Sequence, residues 1–240
     1  MDITKGFTFI TEDERWLTKV GIGAAIMLVS MLLFGIPMLL LVGYQLAVTR
    51  NVMNGEKQPL PEWDDFGKYF MDGLYITLAR LVYTLPFWLL VCIGTAITVL
   101  PAIGAESASD EVAGLLAGTA VIVWVILGCL GLLLGLALFF IAPAISIQYV
   151  RTGELGACFR FGEVIAIARE NMGDIILVAV ALIVVNFVVQ AVIGALGATG
   201  CGLIIAIPLA WVVYPWISLS AGHLYGQIAA KIEGKGMAAY

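Results

Sequence analysis

Residues 112–150 read VAGLLAGTAVIVWVILGCLGLLLGLALFFIAPAISIQYV, a run with no Asp, Glu, Lys or Arg. Such a run decides the fold class. A helix needs roughly 20 apolar residues to cross the ~30 Å hydrocarbon core of a bilayer. This run is continuous, without the alternation of a barrel strand. Working outward, the stretches 17–48, 74–102, 175–199 and 201–221 are equally apolar, broken only by Lys19 and Arg80. The whole chain of 240 residues is 62% hydrophobic and 12% charged, where soluble domains carry about 25% charged residues. So few charges would leave the surface of a water-soluble globule uncovered. The expected class is all-α: a polytopic helical membrane protein, with 1–240 forming one integral membrane domain.

The few charges are sorted along the chain. Lys5, Arg15, Lys19, Arg50, Lys57, Lys68, Arg80, Arg151, Arg160, Arg169, Lys231 and Lys235 all lie in or beside the N-terminus, two internal polar connections and the C-terminus. The connections near Gly35, over 101–111 and over 196–200 hold none. Short basic segments stay cytoplasmic, so both chain ends are expected on the cytoplasmic side of the cell inner membrane. The net charge of −5 includes Glu106, Asp110 and Glu111 on the outer side. No basic block resembles a nucleic-acid surface. The expected partners are the lipid bilayer and a membrane protein or second copy of the chain. Met1–Trp16 mixes acid and base, and no small-residue cleavage site follows a short apolar core, so the first apolar segment is expected to be retained.

The pattern suggests three repeat units, over about 3–56, 62–154 and 157–234. Each has an amphipathic helix, an ascending helix, an outer turn and a descending helix. Within 62–73, Trp63, Phe66 and Phe70 fall on one helical face, with Asp65, Lys68 and Asp72 opposite. Within 157–172, Cys158, Phe161, Ile165, Ala168 and Met172 share a face, with Arg160, Glu163 and Glu170 opposite. Both are expected to lie in the cytoplasmic interface, with Trp63, Phe66, Phe70 and Phe161 toward the acyl chains or the bundle. The segment 3–16, with Ile3, Phe7 and Ile10 on one side, is a weaker copy. The descending helices carry Pro37, Pro143 and Pro215, and end at Asn54-Gly55-Glu56, Thr152-Gly153-Glu154 and Glu233-Gly234-Lys235. Glycine there suits an αL cap.

Three units make about six membrane segments, but 17–48 is short for two passes. Two halves of about 15 residues reach only about 22 Å each at 1.5 Å per residue, against ~30 Å. Either Gly35-Ile36-Pro37 tips a short or re-entrant hairpin, or 17–48 is one long tilted helix and five spans result. The hairpin is favoured, because a single pass would export Lys5, Arg15 and Lys19.

The stretch Gly43-Tyr44, Asn54-Gly55-Glu56, Leu60-Pro61-Glu62-Trp63-Asp64-Asp65-Phe66-Gly67 and Asp72-Gly73-Leu74 resembles the signature of the prokaryotic membrane family called "domain of unknown function 4013". The opening Phe7-Thr8-Phe9, Glu12-Asp13 and Trp16 resembles that family's start. The likeness is specific over roughly residues 7–75 and looser, as hydropathy and helix order, beyond. It implies a multi-pass inner-membrane protein and supplies no catalytic residues.

Four polar positions are candidates for contact with lipid or substrate. Asn186 and Gln190 stand one turn apart inside 175–199. They are read as interhelical hydrogen-bonding glue before a polar path. His223 follows Ser218 and Ser220 in the last helix and is read as a hydrogen-bonded interfacial histidine. Arg80 is read as snorkelling to the cytoplasmic headgroups, with an anionic pocket as its alternative. Glu62, Asp64 and Asp65 read as acids favouring a helix start opened by Pro61, ahead of a Mg²⁺ or Ca²⁺ site. Gly21, Ala25, Gly128, Gly131 and Gly135 suggest close helix packing. Trp88, Trp124, Trp211 and Trp216 read as anchors or packing residues. Cys92, Cys129, Cys158 and Cys201 form no CxxC or Cys/His spacing, so no metal, disulfide or other cofactor framework is expected. No nucleophile elbow, metalloprotease, P-loop or dinucleotide motif occurs. The expectation is a non-enzymatic scaffold or accessory subunit of a membrane complex, with a small-solute or lipid transporter or channel as the alternative.

Overall fold

A computed structural model of the chain describes residues 1–103, 109–200 and 202–234, apart from the side chain at 102. Every regular element among them is helical. In chain order these are α1 (Ile3–Thr8), a 3₁₀ turn (Phe9–Glu12), α2 (Trp16–Leu32), α3 (Met38–Met53), α4 (Phe66–Ile103), α5 (Asp110–Thr152), a second 3₁₀ turn (Leu155–Phe159), α6 (Phe161–Glu170), α7 (Met172–Gly197) and α8 (Leu203–Ile232). Among the described residues four helices are long and apolar enough to cross a membrane: Phe66–Pro101, Asp110–Thr152, Met172–Gly197 and Leu203–Ile232.

The stretch 17–48 is two helices, not one long one. The chain turns at Leu33–Pro37, with Phe34 at φ 52° and Gly35 at φ 80°, and Leu41 returns to within 3.4 Å of the Cβ position of Gly23. The 17 residues of α2 and 16 of α3 rise only about 26 and 24 Å. That shortfall is why four helices rather than six qualify as spans on their own. Ile3–Glu12 and α2 meet at 100°.

The chain divides into two compact units, Met1–Ala79 with Pro143–Tyr240, and Arg80–Ala142. In the first unit α3 is the central post. It buries Leu41, Tyr44, Leu46, Val48, Val52 and Met53. Helix α8 packs along it through Gly222 and Gly226, where an added Cβ would come 2.8 Å from Gln45 O and 2.6 Å from the Val52 side chain. The Thr49 hydroxyl donates across this crossing to Gly222 O at 3.0 Å. On the other side, a Cβ at Gly43 would strike the backbone of Tyr69, and one at Gly73 the backbone of Leu39. Signature glycines thus let α3 and the start of α4 touch backbone to backbone. In the second unit the ring of Phe87 lies 2.7 Å from the Cβ position of Gly131, and Leu127 packs over Gly94. Of the other expected packing glycines, Gly21, Gly128 and Gly135 face open space.

Gly55, Gly153 and Gly234 have φ of 76°, 71° and 65°, the αL caps expected of them. At the first, Glu56 N donates to Asn51 O and Gly55 N to Val52 O, both at 3.0 Å. These are the two bonds of a Schellman motif, which satisfy carbonyls the helix end would leave open.

The amphipathic faces differ from the sequence reading. Helix α4 starts at Phe66 rather than at Pro61, and the Asp65 carboxylate caps it by accepting from Lys68 N at 3.0 Å. The buried side there is Tyr69, Asp72 and Ile76, while Phe66 is 45% exposed. Asp72 goes inward because the Arg50 guanidinium (3.3 Å) and the Tyr149 hydroxyl (2.6 Å) receive it. The stretch 157–172 breaks at Arg160. Its 3₁₀ turn buries Ala157 and Cys158, and α6 buries Val164, Ile167 and Ala168. Phe161, Ile165 and Met172 form a second apolar stripe that remains exposed. Near the N-terminus Gly6, Phe9 and Ile10 are buried in place of Ile3 and Phe7.

Candidate functional site

Lys19 sits in the first turn of α2, and its ammonium is buried. It reaches Asp13 Oδ2 at 2.7 Å, Leu60 O at 2.9 Å and Glu62 Oε1 at 3.0 Å. Two hydrogen bonds, to Asp13 and Leu60 O, and the ion pair with Glu62 let the charge stay in a low-dielectric setting. Around it the signature aromatics interlock. Trp63 Nε1 donates to Lys19 O at 3.0 Å, and Tyr44 stacks on Trp63 with ring centres 4.0 Å apart. The Tyr44 hydroxyl donates to Pro61 O and the Tyr69 hydroxyl to Glu62 O. The polar loop 54–65 is thereby fastened to α2, α3 and α4. Trp63 and Phe70 are half-buried in this arrangement.

His223 lies in a second polar cluster. It is 2% exposed and stacks on Phe9 at 4.4 Å. Gln227 fixes its tautomer. The Gln227 amide exchanges two hydrogen bonds with the backbone of Asp2, accepting from Asp2 N at 2.7 Å and donating to Asp2 O at 2.9 Å. Its remaining N–H points to His223 Nδ1 at 3.2 Å, so Nδ1 accepts and the imidazole proton resides on Nε2. The same clamp ties the N-terminus to α8. A cavity of about 230 Å³ lies beside the ring, bordered by Lys5, Glu12, Asp13, Lys57 and Leu60. Lys5 is paired with Glu12 at 2.7 Å, and Asp13 with Lys19. His223 is therefore hydrogen-bonded, as expected, but packed in the core. Asp64 and Asp65 are exposed. Among the described residues no group of three His, Cys, Asp or Glu could hold a metal ion.

Further ion pairs join separate helices: Arg50 of α3 with Asp72 of α4, and Lys231 of α8 with Asp174 of α7 at 2.6 Å. Arg151 at the end of α5 meets Glu233 just past α8, also at 2.6 Å. Sequence reading missed Lys19, Asp13, Asp72 and Gln227. Lys19 and Gln227 carried a signal, as a charge and an amide within apolar helical stretches, whereas Asp13 and Asp72 sit in polar surroundings in the sequence and carried none.

Asn186 and Gln190 do converge, at a cavity of about 150 Å³ between α2, α7 and α8 that Trp211 and Tyr214 also border. Both amides are exposed. Neither forms the expected interhelical hydrogen bond with a described residue; the neighbouring helices bring apolar side chains such as Met27 of α2 and Ile217 of α8 to the same cavity. Arg80 is half-buried on α4 at the start of the second unit. Cys158, at the second 3₁₀ turn, is fully buried, and burial pushes its thiol up to about 11.

No curated protein and no solved structure matches the chain. The family described as "Protein of unknown function (DUF4013)" matches over residues 25–198. That match covers three of the four candidate spans, all but Leu203–Ile232, and the whole Tyr44–Trp63–Tyr69 cluster, and the chain belongs to this family of unknown function.

Proposed function

We propose that the protein is a non-enzymatic scaffold or accessory subunit of a complex in the cytoplasmic membrane. One observation carries this reading: charged side chains of the first unit are engaged with one another across helices. Arg50 and Lys231 pair with carboxylates on other helices, Lys19 with Asp13 before α2 and with Glu62 of the 54–65 loop, and Arg151 with Glu233 just past α8. Such pairs fix helix register and neutralise the charges they involve. The outer faces of the second unit carry exposed Leu89, Ile97, Leu115 and Leu132, an apolar surface suited to lipids and to the helices of a partner. In this reading α4, α5, α7 and α8 cross the bilayer, and the α2–α3 hairpin enters from the cytoplasmic side to complete three repeats. The basic ends stay cytoplasmic. Helix α6 lies at the interface with Phe161 and Ile165 toward acyl chains, continued by Met172 at the start of α7.

Purification in mild detergent from the native membrane, with mass spectrometry of what co-migrates, tests the reading. A stoichiometric membrane-protein partner supports it. A lone monomer or homo-oligomer overturns it in favour of lipid or small-solute transport, for which the Asn186–Gln190 cavity is the specific observation.

A further inference from the structure

We propose that the cavity bordered by Asn186, Gln190, Trp211 and Tyr214 binds an uncharged membrane lipid through a hydroxyl or carbonyl group. Four side chains with hydrogen-bonding capacity border one cavity of about 150 Å³, and none of the four has a hydrogen-bond partner among the described residues. They are placed at matching depths. Asn186 stands about 16 Å before the end of α7 and Tyr214 about 16 Å after the start of α8, at 1.5 Å per residue. Gln190 and Trp211 lie about 10–12 Å from the same ends. With an apolar core of ~30 Å, both levels fall inside the hydrocarbon. Unpaired amides there are unfavourable, since no water reaches them. A ligand that brings acceptors and a donor on an apolar body removes that penalty.

The chemistry of the lining narrows the ligand. No charged residue borders the cavity, so a phosphate or ammonium headgroup finds no counter-charge. An amide offers both a donor and an acceptor, and the indole N–H and phenol of Trp211 and Tyr214 add to these. Together they suit a hydroxyl or carbonyl. Met27, Val189, Ile193 and Ile217 supply apolar walls for the attached chain. Asn186, Gln190 and Tyr214 are exposed, so the site is open at the protein surface, where a lipid enters sideways. The shared hydroxyl or carbonyl chemistry has two sources in a membrane, an isoprenoid alcohol and a diacylglycerol. The proposal is independent of the scaffold reading.

The test uses the full chain in phosphatidylcholine nanodiscs with three photoreactive probes: farnesol, diacylglycerol and phosphatidylcholine, each carrying a diazirine. Saturable labelling by farnesol or diacylglycerol, mapped to 183–193 and 207–217, supports the site, and the stronger probe identifies the source. The double variant Asn186→Leu, Gln190→Leu should capture about tenfold less, as expected for two lost hydrogen bonds. It replaces polar by apolar side chains in a bilayer and should keep its thermal stability. Ala210→Phe, which fills the cavity from α8, should reduce capture independently. Three results would overturn the proposal: unsaturable labelling spread over every exposed helix, equal capture of phosphatidylcholine, or full capture by the double variant. So would efficient disulfide cross-linking of Asn186→Cys between two copies, which would assign the amides to a homodimer.

Discussion

Lys19 shows what a single residue contributes here. In the sequence it is one more basic residue near a membrane boundary, where snorkelling is the ordinary reading. In the structure its ammonium is enclosed by Asp13, Glu62 and Leu60 O. Replacing it by Met leaves Asp13 buried without its partner, and such a loss costs about 3–5 kcal/mol. Lys19→Met should therefore lower the midpoint of detergent unfolding sharply, and Lys19→Met with Asp13→Leu should recover much of the loss. Equal stability of the single variant and the parent would show that the pair is not buried in the membrane-bound protein. Glycines make a second contrast at this scale. Gly43→Ala sets a methyl against the backbone of Tyr69, whereas Gly21→Ala meets nothing within 4 Å. The first should abolish or strongly reduce accumulation of folded protein, and the second should change the melting temperature little. The spacing of Gly43, Gly55 and Gly73 was visible in the chain, but it does not say which glycine faces a backbone. Gly21 and Gly128 look the same in sequence as Gly43.

Helices were easier to read than their faces. Charge-free runs mark α5, α7 and α8, and Gly55, Gly153 and Gly234 mark helix ends. Which side of an amphipathic segment turns inward depends on partners far along the chain. Asp72 belongs by hydrophobic periodicity to the solvent face, yet Arg50 and Tyr149 hold it inside. Asn186 and Gln190 were legible as a polar pair one turn apart, while the absence of a partner became visible only with α2 and α8 in place. The second 3₁₀ turn gives an element-level test. Cys158 is buried, and its thiol is pushed up to about 11 by that burial. In a variant retaining only Cys158, maleimide labelling of the native protein should be slow through pH 9 and become fast on denaturation. The sign follows from linkage: the neutral thiol is favoured in the folded state. Its contribution is whole below the ordinary thiol range and is lost as pH rises toward 11. Rapid native labelling at pH 7 would mean that Cys158 is not buried in the folded protein. The hairpin tip tests the α2–α3 element. Phe34 is 99% exposed and Leu32 74% exposed, an arrangement favourable only in an apolar medium. Phe34→Asp should reduce membrane-integrated protein if the tip enters the bilayer and leave it unchanged if the tip lies in water.

At the scale of the molecule, the proposed orientation puts the paired charges in a cytoplasmic layer and lets the four long apolar helices among the described residues cross the bilayer. That orientation rests on the asymmetry of the twelve basic residues, and 17–48 forms a hairpin turning at Leu33–Pro37 in place of one long helix. The pairs within the layer were not legible, because Lys19 and Leu60, or Arg151 and Glu233, are brought together only by the completed fold. The most direct test is cysteine accessibility in intact cells with a membrane-impermeant maleimide, using a cysteine-free chain with single cysteines at Glu14, Glu56, Gly153 and Ser109. The account predicts that Ser109→Cys labels from outside, and that Glu14→Cys, Glu56→Cys and Gly153→Cys label only after the cells are opened. Labelling of Glu14→Cys or Gly153→Cys in intact cells would place part of the charged layer on the opposite face and contradict the account.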